Sequence, residues 1–401
     1  MDIQSGTYYW PETMEETPSY PALDKDLTCD VLIIGAGSSG AQCAYYLAEQ
    51  GLRPVIIEQE KVGSGSTSTN TTILQSSGEK YFTDLIHTFG EEAIAKHYKL
   101  CQQAIDDIEQ ACEKVRIDTE FKRRDTLYYV SQEGDLPAFQ KEYQWLKSEG
   151  APVEWVDSDW IREHYSFEKQ GAVYVKNDGE MNPLAFTHGL IDYVHQKGAQ
   201  VFEHTKMTGL HYEDGKPVIR TGQGNIIRAE KVIFAAGYND MEIKKEKKAR
   251  FVSTYTVTTA PVPDFTGWHN RTLIWETARP YVYIRSTKDN RVIIGGLDED
   301  TNHPVERDQK MIHKRDGLLQ EFHKLFPEIQ VEAEYVSAAF YGGMVDGLPM
   351  IGEYPEYPNS HFLLAYGDNG IVYGMVLAKL LAQMISGDKK VDATLYQRGQ
   401  S

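Results

Sequence analysis

Gly35-Ala36-Gly37-Ser38-Ser39-Gly40 is a G-x-G-x-x-G run, and its flanks restrict the folds open to the chain. Before it, Asp30-Val31-Leu32-Ile33-Ile34 is short and almost continuously apolar, as a parallel strand buried on both faces requires. After it, a helical pattern runs from about Ser39 to Gln50, and Gly51 stands where a C-terminal cap belongs. Val55-Ile56-Ile57-Glu58 reads as the next strand. Strand, helix and strand in this order predict a right-handed parallel unit. Within it Gly35 permits the tight turn. Gly37 lets the backbone approach a pyrophosphate, and Gly40 lets helix and strand pack closely. The helix N-terminus offers unpaired N–H groups and a partial positive charge to phosphates. Glu58 follows Gly40 by 18 residues. Its carboxylate accepts hydrogen bonds from ribose hydroxyls and repels a 2′-phosphate, which argues against NADP.

The fingerprint alone fits FAD or NAD. Three later features favour FAD. The segment Gly63–Thr72 is small and polar directly after the acidic residue. Alone it reads as a flexible linker, yet an NAD domain usually begins another crossover helix there. The strand near 231–235 ends in Ala235-Ala236-Gly237, similar to the A-T-G closing strand of FAD domains. Tyr366-Gly367-Asp368-Asn369-Gly370-Ile371 is a turn that opens a helix. It is either a plain helix start or an N-terminus aimed at the flavin N1/C2=O edge, where it would stabilise reduced flavin.

Elsewhere the pattern predicts helices near 79–89, 91–116, 135–149, 158–165, 184–197, 307–325 and 370–385. Strands are predicted near 126–131, 199–204, 207–212, 217–221, 332–340 and 361–366, and residues 251–299 are strand-rich with a turn at Asp289-Asn290. Parallel-type segments at both ends and a strand-rich middle predict one nucleotide domain interrupted by another. The expected division is an extended arm at 1–27, an FAD-binding domain from 28–100, 182–248 and 332–390, and a substrate domain from 101–181 and 249–331.

The chain carries 41 Lys and Arg against 59 Asp and Glu, a net charge of −18. Such a surface repels nucleic acid and anionic membranes. An anionic substrate would need a cation inside the site. No apolar run approaches the ~20 residues that span a bilayer, and the acidic N-terminus lacks the form of a signal peptide, so the expected location is cytoplasmic. Cys29, Cys43, Cys101 and Cys112 form no C-x-x-C pair and read as reduced, mostly buried thiols. His87, His97 and His188 lie in helical patterns and read as ordinary surface or core residues.

Taken together these motifs resemble the D-amino-acid oxidase/glycine oxidase/sarcosine oxidase superfamily over nearly the whole chain. The nearest look is to bacterial amine oxidases of the gamma-glutamylputrescine oxidase kind. Tyr9-Trp10 and Tyr20-Pro21-Ala22-Leu23 are similar to the arm of those proteins. Gly65–Thr72 resembles their loop along the flavin. Asp346-Gly347-Leu348-Pro349-Met350-Ile351-Gly352 resembles their D-G-L-P-x-I-G segment, and Tyr366–Ile371 resembles G-Y-G-G-N-G-I with Asp368 in place of a Gly. The resemblance implies an α/β fold: a Rossmann-like FAD/NAD(P)-binding domain of the glutathione-reductase type, interleaved with a mixed or antiparallel substrate sheet. Cofactor contacts are expected at Gly35, Gly37, Ser38, Ser39, Gly40, Glu58 and Gln59. Further contacts are expected at Ser66, Thr67, Ser68, Asn70, Thr71, Thr72, Met207, Ala236 and Gly237. The last group is Gly343, Asp346, Leu348, Gly367, Asp368, Asn369, Gly370 and Ile371. Thr71 and Met344 lie near the positions where some relatives bond a His or a Cys to the flavin, so FAD is expected to be non-covalent.

The resemblance further implies hydride transfer from a C–H beside an amine nitrogen to flavin N5, followed by imine hydrolysis. The flavin carries the hard chemistry, so no acid or base is assigned. In Pro280-Tyr281-Val282-Tyr283-Ile284-Arg285 the period of two puts Tyr281, Tyr283 and Arg285 on one face. They form either a carboxylate-binding wall over the flavin or a solvent-facing strand with a surface Arg. Trp275 and Glu276 are weaker candidates, with Glu276 either exposed at the surface or holding a second, cationic amine. The expected partners are a small amine or amino-acid substrate and O2 or a protein electron acceptor, with a homo-oligomer left open. A 2-hydroxy-acid or glycerol-phosphate type dehydrogenase, or a flavin-binding protein without turnover, stand as alternatives.

Overall fold

The computed structural model describes residues 2–78 and 80–398. Met1 of the arm and Glu79, where the pattern for the helix 79–89 begins, lie outside the described residues. Two sheets organise the rest. In the first, parallel strands stand in the order Gln200–Phe202, Val55–Ile57, Leu27–Ile34, Ile226–Phe234 and Ser360–Leu364. The central strands are apolar throughout because both faces are covered. Val31, Ile33, Ile56 and Ile233 pack under the helices Ser38–Glu49, Pro183–Gln196, Glu91–Lys114 and Gly370–Ile385. Leu32, Ile34, Val55, Ile57 and Phe234 pack on the other side, with Ile219 of the Met207–Glu213/Lys216–Thr221 hairpin. The strand–helix–strand unit expected around Gly35 is present and parallel.

The second sheet has ten strands and is mixed. Its core runs from Gln4–Gly6 through Ala333–Met344, Ala249–Thr259, Val292–Glu299 and Val282–Ser286 to Leu273–Glu276. Lys122–Tyr129 then pairs in parallel with Leu273–Glu276 and antiparallel with Gly171–Glu180. The helix Pro304–Leu325 covers one face with Leu318, Phe322 and Leu325. The opposite face looks onto the first sheet. The hairpin turn falls as expected, with Asn290 at φ +64°. No described helix is long and apolar enough to cross a membrane. Cys43 and Cys101 are buried, and Cys29 and Cys112 are half-buried.

Three assignments need correction. The arm is not simply extended: it holds the strand Gln4–Gly6 and a short helix, Tyr9–Glu12, with Tyr9 and Trp10 buried. The expected boundary at 100/101 cuts through the helix Glu91–Lys114, whose stripe Cys101, Ala104, Ile105, Ile108 and Ala111 joins the core beneath the parallel sheet. Ala333–Met344, placed with the FAD-binding segments, belongs to the second sheet, where it pairs along Ala249–Thr259. The strands Val153–Asp157 and Gly171–Glu180 left no clear sequence signal, because the second is buried on both faces for much of its length.

Asp178 sits buried in that strand and accepts hydrogen bonds from Ser76 N (3.2 Å) and Thr126 Oγ1 (2.6 Å). Burial pushes its carboxyl up to about 7. The folded value lies above the ordinary one, so the protonated form suits the fold. The stability this group contributes is full below about pH 4 and is lost as pH rises through about 7. Asp178→Asn keeps an acceptor for Ser76 N–H and does not ionise. The variant is expected to melt like the parent at about pH 4 and increasingly above it as pH rises to about 7, which thermal melts across pH will show.

Candidate active site

The cavity between the two sheets begins at the Gly35 turn. Gly35 has φ +105°, and a Cβ there would lie 2.6 Å from Ala235 O. A Cβ on Gly40 would lie 1.9 Å from Gly35 O, so helix and turn are in backbone contact. Gly37 faces Thr67 Oγ1, which accepts from Ser38 N at 3.0 Å. The following N–H groups of the helix have no helical carbonyl behind them. Glu58 Oε2 accepts from Ala36 N (2.8 Å) and Oε1 from Glu60 N (3.0 Å). Burial raises its carboxyl above the ordinary range, and these N–H bonds oppose the rise. Each oxygen retains lone pairs for hydroxyl donors.

The Gly63–Thr72 segment is a built wall and not a flexible linker. Ser66–Thr69 forms one 3-10 turn. Trp10 Nε1 donates to Asn70 O at 2.7 Å, and Asn70 Oδ1 accepts from Thr72 N at 2.7 Å. Opposite, Gly367 (φ +139°) turns the chain into the helix Gly370–Ile385. Gln42 Nε2 donates to Ile371 O at 2.9 Å and ties the two helices together. Asn369 Nδ2 donates to Gln75 O. Asn369 Oδ1 and Gln75 Nε2 are buried on the cavity wall with no hydrogen-bond partner among the described residues.

The cavity measures about 440 Å³. The structure brings together along it Gly35, Gly37, Ser38, Ser39, Glu58, Gln59, Ser66, Thr67, Asn70, Thr71, Thr72, Met207, Ala236, Gly237, Gly367, Asp368, Asn369, Gly370 and Ile371. Trp275, Tyr281 and Tyr283 line its far wall with Thr254 and Thr256. Trp275 stacks on Tyr128 with ring centroids 3.7 Å apart. Gly295 makes room for the Tyr283 ring, since a Cβ there would meet it at 2.3 Å. Burial, and then the charge of Asp298, push the Tyr283 phenol up to about 12.

Other expected residues stand elsewhere. Arg285 is not part of the wall. It is 3% exposed, and its Nη1 donates to Thr71 O (3.0 Å), Thr72 O (2.8 Å) and Met181 O (3.0 Å). Glu180 stands 3.7 Å from its Nε. The alternation put Arg285 on the correct face, but the flavin-side loop folds over it and takes up its donors. Glu276 is turned away too, accepting from Tyr129 OH, Ser131 Oγ and Val282 N. Gly40 and Ser68 lie behind the lining, Gly40 under Gly35 and Ser68 donating to Gly65 O at 2.9 Å. Gly343, Asp346 and Leu348 are also outside it. Gly343 pairs with Arg250, Asp346 Oδ1 accepts from Leu348 N at 3.3 Å, and Leu348 packs with Phe82, Leu85 and Tyr98. The sequence reading missed Gln4, Thr254, Thr256 and Asp298 on the lining. The T-x-T alternation of Thr254 and Thr256 was the one available signal.

The groove fits FAD: glycines open a phosphate approach, Glu58 offers a carboxylate, and buried amide groups of Gln75 and Asn369 await polar partners. Neither His nor Cys appears among its described lining residues, which suits a non-covalent flavin. Known proteins agree. The description "DAO: FAD dependent oxidoreductase" matches residues 30–384. The chain is 29% identical over 227 residues to the putative Rieske 2Fe-2S iron-sulfur protein YhfW of Bacillus subtilis, covering 56% of this chain and only 43% of that protein. It is 22% identical over 403 residues to the gamma-glutamylputrescine oxidoreductase of Escherichia coli, covering 97% and 90%. The solved glycine oxidase of Geobacillus kaustophilus superposes with a TM-score of 0.76 at 21% identity, covering 92% of this chain and 98% of that one. The chain belongs to the DAO family of FAD-dependent oxidoreductases, with FAD as its non-covalent cofactor.

Proposed function

We propose that the protein oxidises the C–N bond of an amine or amino acid. One observation carries the reading: the dinucleotide cradle opens onto a wall of Trp275, Tyr281, Tyr283, Thr254 and Thr256, a place for a small substrate between aromatic rings and the cofactor groove. FAD, when bound, would supply the acceptor for a hydride from the carbon beside the amine nitrogen, with O2 or a protein as the final electron acceptor. Water then converts the imine to a carbonyl compound and a freed amine. The chain's part is to orient that C–H and exclude water. Glu58 with Gln59 serves the ribose, the Gly37–Ser39 turn the pyrophosphate, and the Thr71–Thr72 and Gly367–Ile371 segments the ring system.

A 2-hydroxy-acid or glycerol-phosphate type reaction calls for cations around an anion. Among the described lining residues Lys206 is the one cation, and it stands beside Met207 at the parallel sheet. The test is the visible spectrum of the anaerobic holoenzyme titrated with secondary amines, D- and L-amino acids and gamma-glutamyl amines in turn. Bleaching by one of these classes supports the reading. A flavin that only hydroxy acids or glycerol phosphate reduce overturns it.

A further inference from the structure

Asp298 has a position that regular strand geometry would not give it. Along Val292–Glu299, Val292 and Ile294 pack toward the helix Pro304–Leu325, while Gly295 carries the Tyr283 ring on the cavity side. Continued alternation would aim Leu297 into the cavity and Asp298 at the helix. The pairing with Ala249–Thr259 slips instead: Tyr255 faces Gly296, yet Ser253 faces Glu299. This is a β-bulge, with Gly296 at φ +121° and Leu297, a bulky side chain, at φ +53°. The slip exchanges the two faces. Leu297 packs against the helix-side core, within reach of Gly317. Asp298 lines the cavity with Tyr281, Tyr283 and Trp275. Glu299 turns back to Lys310 and Lys314, at 2.8 and 2.6 Å.

A strained bulge that swaps a leucine for a carboxylate at an aromatic wall marks a binding role. Among the described residues, two arginines near the wall, Arg285 and Arg279, are held by backbone carbonyls. Arg285 is sealed behind Thr71 and Thr72. Arg279 lies 5.0 Å over the Tyr281 ring, off the lining, with Nη1 donating to the carbonyls of Glu276, Thr277 and Ala278. A substrate carboxylate at this wall therefore meets an aspartate. A substrate ammonium meets its counter-charge, with phenol and indole faces alongside. The reacting nitrogen must shed its proton before hydride leaves the neighbouring carbon, and a carboxylate would oppose that. The nitrogen that pairs with Asp298 is thus a second one.

Resting on the amine reading above, we propose that Asp298 is a specificity-determining residue that holds a distal ammonium, and that the substrate is an amine with a second cationic nitrogen and no carboxylate near the reacting carbon.

The holoenzyme is tested with a series of short α,ω-diamines, each beside the monoamine and the ω-amino acid of the same length, and with glycine and sarcosine. The best diamine is expected to exceed its monoamine in kcat/KM by roughly 10- to 100-fold, the range for a hydrogen bond to a charged group. Asp298→Asn should collapse that ratio toward unity, and Asp298→Glu should move the optimum to a shorter diamine. The Glu variant decides the matter if the Asn variant loses its flavin. Glycine or sarcosine outrunning every diamine, or a ratio unchanged in Asp298→Asn, overturns the proposal. If no amine or amino acid reduces the flavin, the amine reading itself has failed. Spectral titration of the oxidised holoenzyme with 1,4-diaminobutane then decides the site alone: weaker binding in Asp298→Asn supports it, and equal or absent binding in both proteins overturns it.

Discussion

Gly40→Ala is expected to yield a colourless protein. The added methyl would lie 1.9 Å from the backbone oxygen of Gly35, and backbone cannot swing aside as a flexible side chain can. Relief requires the helix Ser38–Glu49 to lift from the turn. That helix is pinned by the Gln42–Ile371 hydrogen bond and by packing under Val31 and Ile33, so the turn gives way first. Displacing phosphate-binding N–H groups by about 1 Å is expected to weaken FAD by roughly 100-fold, the scale at which misplaced groups lose function. The measurement is flavin absorbance per chain after purification, followed by FAD titration of the apoprotein. Gly51→Ala is the control. A Cβ there meets nothing within 4 Å, although φ is +80°. It should cost about 1 kcal/mol of stability and keep the flavin. A yellow Gly40→Ala protein with parent-like affinity would show that this turn does not carry the cofactor.

Arg285→Met should be the most destabilising single change at the site's edge. The guanidinium is buried and serves four carbonyl oxygens, one on its own strand at Ser286 and three from two separate segments. Methionine fills similar space but leaves those oxygens without donors and removes a cation from beside Glu180. Arg124 Nε, 2.8 Å from Glu180 Oε1, keeps that carboxylate partly paired. Breaking a buried pair of this kind costs about 3–5 kcal/mol. A lowered Tm and loosened flavin are expected together, because Thr71 and Thr72 belong to the cavity wall. A carboxylate-binding arginine would behave differently: its loss would spare Tm and raise KM for carboxylated substrates alone.

These two residues show what the sequence made legible. Gly40 was readable because its requirement is local, set by a strand, a turn and a helix within one short stretch. Arg285 was half readable. A period of two names the face of a strand but says nothing about what lies over it, and the covering loop comes from more than two hundred positions earlier. Asp298 was hidden for a different reason: its bulge breaks the very period from which a face is inferred. The boundary at 100/101 failed because the helix Glu91–Lys114 has one continuous apolar stripe, and nothing in composition marks a change of domain along it. Gly343, Asp346 and Leu348 came in with a family motif, and the chain here packs them into core and ladder positions behind the groove.

The arm strand Gln4–Gly6 pairs with Ala333–Met344 and also holds the flavin-side loop, with Gln4 Nε2 3.2 Å from both Ser64 O and Ser68 Oγ. The parallel sheet is threaded the same way, with Ile226–Phe234 seated between Leu27–Ile34 and Ser360–Leu364. The arm strand therefore waits for a segment more than three hundred positions further along the chain before it finds its partner. High contact order of this kind makes for slow folding and keeps early strands exposed. The dinucleotide fingerprint precedes the segment that closes its cradle by more than three hundred positions, so flavin capture waits for the helix Gly370–Ile385 to be in place, and free FAD then acts on the stability of the folded protein by mass action.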